Sequence, residues 1–359
     1  MIIPGERTVR LIPDQEGRLV LPPPRPGERT VRLIPDQEGR LVLPPPRPAK
    51  RRWAVRTSGM LAVSDHRLAE EEGGLARVWG IRSAGLAVAA ASIWYVPWLV
   101  TSTNPAAPWL SWPFAIANIA LVLAVLLSCV NNWSRSAGPS IAVVPGAEPL
   151  VAIVIPTAGE PVDMLRRTLL SVLDQDWPDD RMCILVGDDS DRDEVLALVD
   201  ALQWEYRDVR FLQYLPPARG SAYRRGDAKA GNLNAALHVL DANAIAAEFI
   251  ETRDADDMVG DPTFLRRCVA QMLADEKVAY AQTIKESLVS PGDPFGNNDP
   301  MFYRGSMLAR HAANAVFPCG SGVVWRRGAL EDIGDFPAWN LVEDLQSGME
   351  ALRKGWKGA

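Results

Sequence analysis

The chain has 359 residues, of which 48% are hydrophobic and 23% are charged, and its formal net charge is −6 at pH 7. This length allows about two or three domains, and the composition is ordinary for a folded protein with a buried core. The negative charge argues against broad nucleic-acid binding, and the four cysteines lack the spacing of a disulfide framework or a zinc site and fit a reducing compartment.

An exact repeat fills the start of the chain. Residues 5–26, GERTVRLIPDQEGRLVLPPPRP, recur unchanged as residues 27–48. Two copies are too few for a solenoid, which needs about three or more units to bury a core. We therefore expect residues 1–50 to form a disordered, Pro-rich tandem-repeat tail. A docking site for a partner protein is the alternative for this segment.

A long uncharged segment comes next. Between Ser83 and Ser134 there is no Asp, Glu, Lys or Arg, and the turn-forming tract 101–108 divides the segment into two apolar blocks of about 20 residues each. We predict two transmembrane helices within 83–134, with a buried helical hairpin as the alternative. Aromatic residues typical of a membrane interface lie near the block ends: Trp94, Tyr95, Trp98, Trp109, Trp112 and Trp133.

Basic residues flank these blocks. Lys50 and the six arginines of residues 51–82 precede the first block and Arg135 follows the second, whereas the tract between the blocks is uncharged. By the positive-inside rule both flanks are cytoplasmic, which predicts a basic cytoplasmic juxtamembrane segment at 51–82 and a multi-pass protein of the inner (plasma) membrane. The first block begins too deep in the chain for a cleaved signal peptide.

Strand and helix patterns alternate after Pro145. β-rich apolar runs occur at 151–156, 182–187, 209–214, 248–252 and 278–283, and stretches with helical spacing lie between them at about 164–173, 192–203, 228–241 and 262–275. This alternation predicts an α/β domain with a mostly parallel sheet covered on both faces. In open sheets of this kind, ligands bind outside the carboxyl ends of the strands.

Two acidic motifs directly follow predicted strands. Asp188 and Asp189 come after 182–187, and Asp254 and Asp256 come after 248–252, so both motifs are expected at one edge of the sheet. In an extended tract Asp254 and Asp256 would point the same way. Their repulsion favours a divalent cation, Mg²⁺ or Mn²⁺, held together with substrate phosphates. A solvated acidic loop is the alternative for this tract taken alone.

Seven short motifs occur in an order that resembles the family 2 glycosyltransferases, in particular the cellulose synthase-like membrane synthases. The resemblance covers about residues 145–355 and the two apolar blocks. It implies a GT-A fold, a Rossmann-like glycosyltransferase domain, over 145–359. A single short motif is a weak signal, whereas seven motifs in the family's order are specific. The motifs are IPTAGEP (155–161), GDDS (187–190), DAKAGNLNAAL (227–237), DADD (254–257), AQT (281–283), FPCGSG (317–322) and VED (342–344).

The resemblance implies a nucleotide site built from the first two motifs. Thr157 and Glu160 are expected beside the nucleoside. Asp189, with Asp188 next to it, is expected at the uracil or ribose, where a carboxylate accepts hydrogen bonds from N–H or hydroxyl groups. One of the two aspartates could instead cap the helix that follows, and the two functions are compatible.

The third and fourth motifs are expected at the diphosphate. Lys229 lies in the first turn of a predicted helix, where a cation is poorly placed for helix stability. An anionic ligand explains this position, and a solvated lysine is the alternative. Asp254 and Asp256 are the implied metal ligands, and Arg224 and Arg225 are expected as surface charge.

The last two motifs are expected around the reacting atoms. Asp344 is the candidate general base for an acceptor hydroxyl that attacks the anomeric carbon with inversion, while an acidic residue favoured by the helix dipole is the alternative. One base is enough, because a metal-stabilised nucleoside diphosphate leaves without protonation. Glu343 and the loop residues Cys319, Gly320 and Ser321 are expected to contact the substrates.

Some positions depart from the family pattern. Ala158 and Gly159 stand where Tyr-Asn is common, Ile284 replaces a Pro, and Val342 replaces a Thr or Ser. The 15 residues after Asp344 contain no Gln-x-x-Arg-Trp motif and no further apolar span. On this basis the chain is expected to be a synthase truncated before the channel helices.

The predicted function is that of a membrane-anchored, inverting β-glycosyltransferase that transfers a sugar from a UDP-sugar to a growing polysaccharide. The expected partners are the UDP-sugar, a polysaccharide or other glycan acceptor, the lipid bilayer and other synthase-complex subunits, with no nucleic acid. Two alternatives stay open. The chain could be a catalytically inactive truncated synthase that serves as a donor-binding or interaction subunit, or a non-processive transferase that acts on a lipid acceptor.

Overall fold

The computed structural model describes residues 75–136, 141–289, 296, 299 and 302–359, together with four short strands before residue 43. These residues form two compact units. The first unit contains the described parts of 139–283 and 317–359 and the N-terminal strands. The second contains the described parts of 57–138 and 284–316.

A sheet of nine strands, counted over the described residues, forms the centre of the first unit. The described strands are β1 (Val9–Pro13), β2 (Leu19–Val20), β3 (Ile34–Pro35), β4 (Leu41–Val42), β5 (Val151–Thr157), β6 (Met182–Asp188), β7 (Arg210–Tyr214), β8 (Phe249–Thr252), β9 (Val278–Gln282), β10 (Val323–Arg326) and β11 (Lys357–Gly358). The order of the nine-stranded sheet is β11-β9-β10-β8-β5-β6-β7-β1-β2, and β3 pairs separately with β4.

The sheet is mostly parallel, as predicted. β5 pairs in parallel with both β6 and β8, and β6 with β7, whereas β10 runs antiparallel to β8 and β9. Every residue of β6 is buried and all but one of β5. Because successive residues of a strand face opposite sides of a sheet, this burial shows that both faces are covered.

Helices connect the strands of the first unit. Their apolar faces pack inward, as in the first of them, where Leu165, Leu169 and Val172 are fully buried at helical spacing. The helices are Val162–Leu173, Asp193–Glu205, Ala228–Ala242, Phe264–Ala274, Arg327–Ile333 and Glu343–Arg353, and a 3₁₀ turn covers Asp179–Arg181.

The N-terminal repeat contributes strands at a few positions. β1 lies parallel to β7, with Val9 opposite Leu212, and pairs antiparallel with β2. These positions therefore have regular structure inside the segment predicted to be a disordered tail. The rest of residues 1–50, and residues 51–74, lie outside the described residues, and the predictions for them stay predictions.

The second unit contains two long apolar helices, Leu75–Thr101 and Pro108–Asn131, joined by a turn at the predicted tract. A further π-helical turn covers Phe302–Met307 and continues into the short helix Leu308–Ala312. Trp79–Thr101 and Pro108–Asn131 have mean hydropathies of 1.5 and 2.4, and 11% and 6% of these windows are buried. A core helix of a water-soluble protein is mostly buried, so these two helices do not resemble one. By length and composition, both can cross a membrane.

Candidate functional site

The first residues of the site lie at the carboxyl end of β5. The Thr157 hydroxyl donates to Oε2 of Glu160 at 2.6 Å, and the Ala158 N–H donates to the same oxygen at 2.7 Å. Burial alone would raise the pKa of Glu160. The two hydrogen bonds and the charge of Arg192 outweigh it, so that pKa is lowered from its ordinary value. The carboxylate is thus held charged against the strand end.

The two aspartates at the end of β6 have different surroundings. Asp188 is fully buried, and its carboxylate accepts hydrogen bonds from the N–H groups of Ser190 at 3.1 Å and Arg192 at 2.9 Å. Arg192 is the N-cap residue of the helix Asp193–Glu205, so Asp188 caps the start of this helix. Asp189 instead lines a cleft at the strand ends. The structure therefore places Asp189, and not Asp188, where a ligand can be contacted.

A buried arginine holds Asp189. Arg224 is 8% exposed, and its Nη1 and Nη2 atoms lie 2.7 and 3.0 Å from the two carboxylate oxygens of Asp189. The same guanidinium donates to the carbonyl oxygens of Pro217 at 2.9 Å and Ala228 at 2.6 Å. The expectation of Arg224 as surface charge is wrong. One clue in the sequence is Gly231, inside the following helix, because a Cβ there would lie 2.4 Å from Nε of Arg224.

Lys229 joins three motifs. Asp227 caps the helix Ala228–Ala242 and accepts from the Ala228 N–H at 2.7 Å, which places Lys229 in the first turn as predicted. The Lys229 ammonium contacts Oδ1 of Asp254, donates to the Gly320 carbonyl at 2.6 Å and lies 4.0 Å from Oε1 of Glu343. It is the cation around which the carboxylates of the site are arranged.

The acidic tract after β8 is a turn. The Asp257 N–H donates to the Asp254 carbonyl at 3.1 Å, which differs from the extended conformation expected for this tract. Asp254 and Asp256 nevertheless line the same cleft. The fully buried Ser321 hydroxyl bonds to Asp257 and accepts from the Asp254 N–H at 2.9 Å. Ser321, expected to contact the substrate, is used here to hold the turn.

A buried ion pair stabilises the turn that contains Asp254 and Asp257. Arg253 Nε lies 2.5 Å from Oε1 of Glu251, and Arg253 Nη1 donates to the Asp257 carbonyl at 3.2 Å. Burial raises the pKa of Glu251, against the opposing charge of Arg253. Because both partners are almost fully buried, this contact fixes the backbone that presents the acidic residues.

The glycine-containing loop is fixed by an amide of the AQT motif, to which the sequence assigns no particular role. Gln282, at the end of β9, accepts from the Cys319 N–H at 2.5 Å and donates to the Ser321 carbonyl at 3.2 Å. Cys319 and Gly320 are half-buried. Gly320 has φ +78°, a conformation that favours glycine, and its carbonyl faces Lys229.

The last motif brings two carboxylates to the same place. Asp344 is half-buried, and a Cβ at Gly320 would lie 3.2 Å from its Oδ2 and 3.5 Å from Nζ of Lys229. Glu343 is buried. Burial raises the pKa of Glu343, the charges of Asp344 and Asp254 raise it further, and the charge of Lys229 opposes them. The two acids at the start of the helix Glu343–Arg353 thus lie beside Lys229.

The cleft at the carboxyl ends of the strands has a volume of about 240 Å³. It brings together side chains from the first four motifs and adds Arg219, which lies 3.6 Å from Asp189. Its lining comprises Pro156, Thr157, Ala158, Glu160, Asp189, Arg219, Ala228, Lys229, Asp254, Ala255 and Asp256.

The residues present fit a divalent cation only together with a ligand. Within the described part of the chain, no three His, Cys, Asp or Glu side chains form a cluster able to hold a metal ion. Mg²⁺ is usually bound by one or two carboxylates plus substrate phosphates, and Asp254 and Asp256 supply two such carboxylates at the cleft. Asp254 is paired with Lys229, so its charge is already balanced in the chain alone.

Comparisons with known proteins agree with the motif order. The model of the family described as "Glycosyltransferase like family 2" matches residues 145–359. The cellulose synthase catalytic subunit (UDP-forming) of Pseudomonas fluorescens (strain SBW25) is 29% identical over an alignment of 287 positions that covers 75% of this chain and 36% of that protein. The cellulose synthase 1 catalytic subunit (UDP-forming) of Komagataeibacter xylinus is 28% identical over an alignment of 290 positions that covers 75% of this chain and 35% of that protein.

The chain thus spans about a third of the length of these two curated relatives. Among solved structures, the mannosyltransferase PcManGT from Pyrobaculum calidifontis in complex with GDP-Man and Mn²⁺ superposes with a TM-score of 0.48 at 17% identity. The superposition covers 79% of this chain and 65% of that one.

Proposed function

Because the chain belongs to the glycosyltransferase-like family 2 and has a GT-A-like α/β sheet, we propose that it transfers a sugar from a UDP-sugar to a glycan hydroxyl with inversion at the anomeric carbon. The curated relatives are named as UDP-forming cellulose synthase subunits, and this supports a uridine nucleotide as the donor and a β-linked polysaccharide as the acceptor.

One observation carries this proposal, the set of contacts made by Lys229. Its ammonium contacts Asp254 of the acidic turn, the carbonyl of Gly320 in the glycine loop and, at 4.0 Å, Glu343 at the start of the last helix. Three motifs separated along the chain therefore meet at one cation beside a cleft. A diphosphate placed there would lie between the lysine and the strand ends, with the nucleoside toward Asp189.

In the proposed reaction, the Asp344 carboxylate takes the proton from the acceptor hydroxyl as its oxygen forms a bond to the anomeric carbon. The bond from that carbon to the phosphate oxygen breaks, and the electron pair leaves with UDP. Lys229 offsets charge on the departing phosphate. Glu160 and Asp189 hold the nucleoside, and the backbone of the glycine loop lets the sugar approach closely.

The proposed cofactor is Mg²⁺ or Mn²⁺, held by Asp254 and Asp256. Such an ion neutralises charge on a diphosphate leaving group. Two neighbouring carboxylates that line a cleft suit this use. The lysine contact offsets the charge of Asp254 without the ion.

We also propose that the two apolar helices anchor the chain in the plasma membrane, with the transferase unit in the cytoplasm. Both helices are long enough, and most of their apolar surface is exposed. Arg77 and Arg82 lie in the first turns of Leu75–Thr101, and Arg135 follows the second helix, while residues 102–107 carry no charge. This is the distribution expected when both outer ends stay inside. A polysaccharide acceptor and further synthase subunits are the corresponding partners.

UDP release by the purified full chain in lipid nanodiscs tests the proposed function. Wild type is expected to release UDP from UDP-glucose or UDP-N-acetylglucosamine with Mg²⁺ or Mn²⁺, and not with EDTA. Asp344→Asn should lower the rate about 10²- to 10⁴-fold, the usual contribution of a general base. It should leave the Kd for UDP within about twofold.

Glu350→Gln is the matched control, because it removes a carboxylate from the same helix at an exposed position paired with Arg353. Its rate should equal that of the wild type. Equal, metal-independent rates for wild type and Asp344→Asn would refute the catalytic proposal. A chain that binds UDP but does not turn over would match the inactive donor-binding alternative.

A further inference from the structure

A second, smaller cavity adjoins the cleft at the carboxyl ends of the strands, which is called the donor cleft below. It has a volume of about 140 Å³, and Ala228 and Lys229 line both it and the donor cleft. The new wall comes from the segment between the last two helices. The lining residues are Asp227, Ala228, Lys229, Ala230, Ala338, Trp339, Asn340, Leu341 and Glu343.

The wall has large apolar side chains that face solvent. Trp339 is 75% exposed and Leu341 is 85% exposed. The same cavity is also lined by charged and polar groups, Lys229 and Glu343 outside this segment and Asn340 within it. Single exposed apolar residues are ordinary, but these two are two positions apart and line one cavity together with Lys229 and Glu343.

The segment that carries these side chains is fixed at both ends. Phe336 is 2% exposed, and its N–H and carbonyl pair with the side-chain amide of Asn234 at 3.0 and 2.9 Å. Its ring packs edge-on against Trp325 with centroids 5.9 Å apart. At the other end, the Val342 N–H donates to Oδ1 of Asn340 at 2.9 Å, directly before the helix that begins at Glu343.

These observations fit one class of ligand. A pyranose ring has apolar C–H faces and a rim of hydroxyl groups, so it matches an indole face opposed by polar side chains. The volume is below the roughly 300–1,000 Å³ of pockets that enclose drug-sized ligands. The cavity therefore suits the terminal sugar of an acceptor and not a whole oligosaccharide.

We propose that Trp339 and Leu341 form the subsite for the terminal sugar of the acceptor glycan. The inference rests on the proposed function, since it assigns the acceptor to the cavity that shares Ala228 and Lys229 with the donor cleft. Glu343 lines the cavity, and Asp344, the next residue, lies near Lys229 beside Gly320. The group that would take the proton from the acceptor hydroxyl therefore adjoins the residues that line the subsite.

Equilibrium binding tests the subsite without turnover. The full chain in nanodiscs, carrying Asp344→Asn and saturated with UDP and Mn²⁺, is titrated with cellotetraose and with chitotetraose. The added change Trp339→Ala should weaken the better-bound oligosaccharide about tenfold or more, because it removes the stacking face. Trp339→Phe keeps an aromatic ring and should weaken binding only about two- to threefold.

Trp204→Ala is the matched control, since Trp204 is also a partly exposed tryptophan but lies on the helix Asp193–Glu205, outside the cavity lining. It should leave oligosaccharide affinity unchanged, and none of the variants should change the Kd for UDP more than twofold. Equal affinity of Trp339→Ala and its parent, a parallel loss of UDP binding, or no binding of either oligosaccharide by the parent would each overturn the inference. Failure of the proposed function appears separately, as absence of metal-dependent UDP release by the wild type.

Discussion

Replacing Arg224 with glutamine removes the guanidinium that contacts both carboxylate oxygens of Asp189, at 2.7 and 3.0 Å. Removing one partner of a buried ion pair costs about 3–5 kcal/mol. Arg219 also approaches Asp189, at 3.6 Å, and is more than half exposed, so it can partly compensate. We therefore expect about 3 kcal/mol, at the lower end of that range.

Thermal unfolding of the full chain in nanodiscs measures this effect. A cost of about 3 kcal/mol corresponds to a fall in Tm of about 6–12 °C for a domain of this size. Arg225→Gln is the matched control, because Arg225 pairs with Asp335 at the surface and is 61% exposed. Its loss should cost at most about 1 kcal/mol. Affinity for UDP should also fall in Arg224→Gln, since Asp189 loses its fixed orientation.

A double-mutant cycle with Asp189→Asn separates the pair from other contacts of Arg224. The loss of stability in the double variant should be clearly smaller than the sum of the losses in the two single variants, because each single variant leaves one buried charge without its partner. If Arg224→Gln unfolds within about 2 °C of Arg225→Gln, or if the cycle shows no coupling, then the carboxylate of Asp189 is not held in the way proposed.

Three further outcomes are expected. Gly231→Ala should lower stability by about 1–3 kcal/mol in a melting experiment, since its Cβ would lie 2.3 Å from the Gly226 carbonyl, whereas Gly260→Ala, with nothing within 4 Å, should not. Glu160→Gln should lower Tm at pH 7. Because the pKa of Glu160 in the folded chain lies below its ordinary 4.5, the difference in Tm from wild type should shrink as pH falls below about 4.5. A difference that does not depend on pH would contradict the charge argument. Thr103→Cys should react with a membrane-impermeant maleimide from outside intact cells, and labelling only after lysis would contradict the proposed topology.

Much of the fold could be predicted from the sequence, because buried parallel strands have continuous apolar runs that are easy to recognise. The run 182–187 falls within β6, all of whose residues are buried. The predicted helix at 228–241 differs from Ala228–Ala242 by one residue. Regular elements of this kind depend on local pattern, and local pattern is what a sequence displays.

Loop contacts could not be predicted in the same way. Arg224 lies in a polar stretch where a surface arginine and a buried one look alike, and only the packing of its neighbours decides between them. The tract at Asp254 is predicted to be extended, because it directly follows a predicted strand, whereas the structure has a turn there. A contact from Ser321, distant in sequence, holds it in place, and no local signal reports such a contact.

The polar motif residues divide into two groups according to what their side chains contact. The amides of Asn234 and Gln282 and the hydroxyl of Ser321 bond to loop backbone, with Asn234 holding Phe336 and Gln282 holding Cys319. Lys229, in contrast, contacts side-chain and backbone groups at the edge of the cleft. The first group fixes where the second group lies. A motif match therefore specifies the loop geometry of this fold directly, and it specifies ligand chemistry only through the few charged side chains that this geometry presents to the cleft.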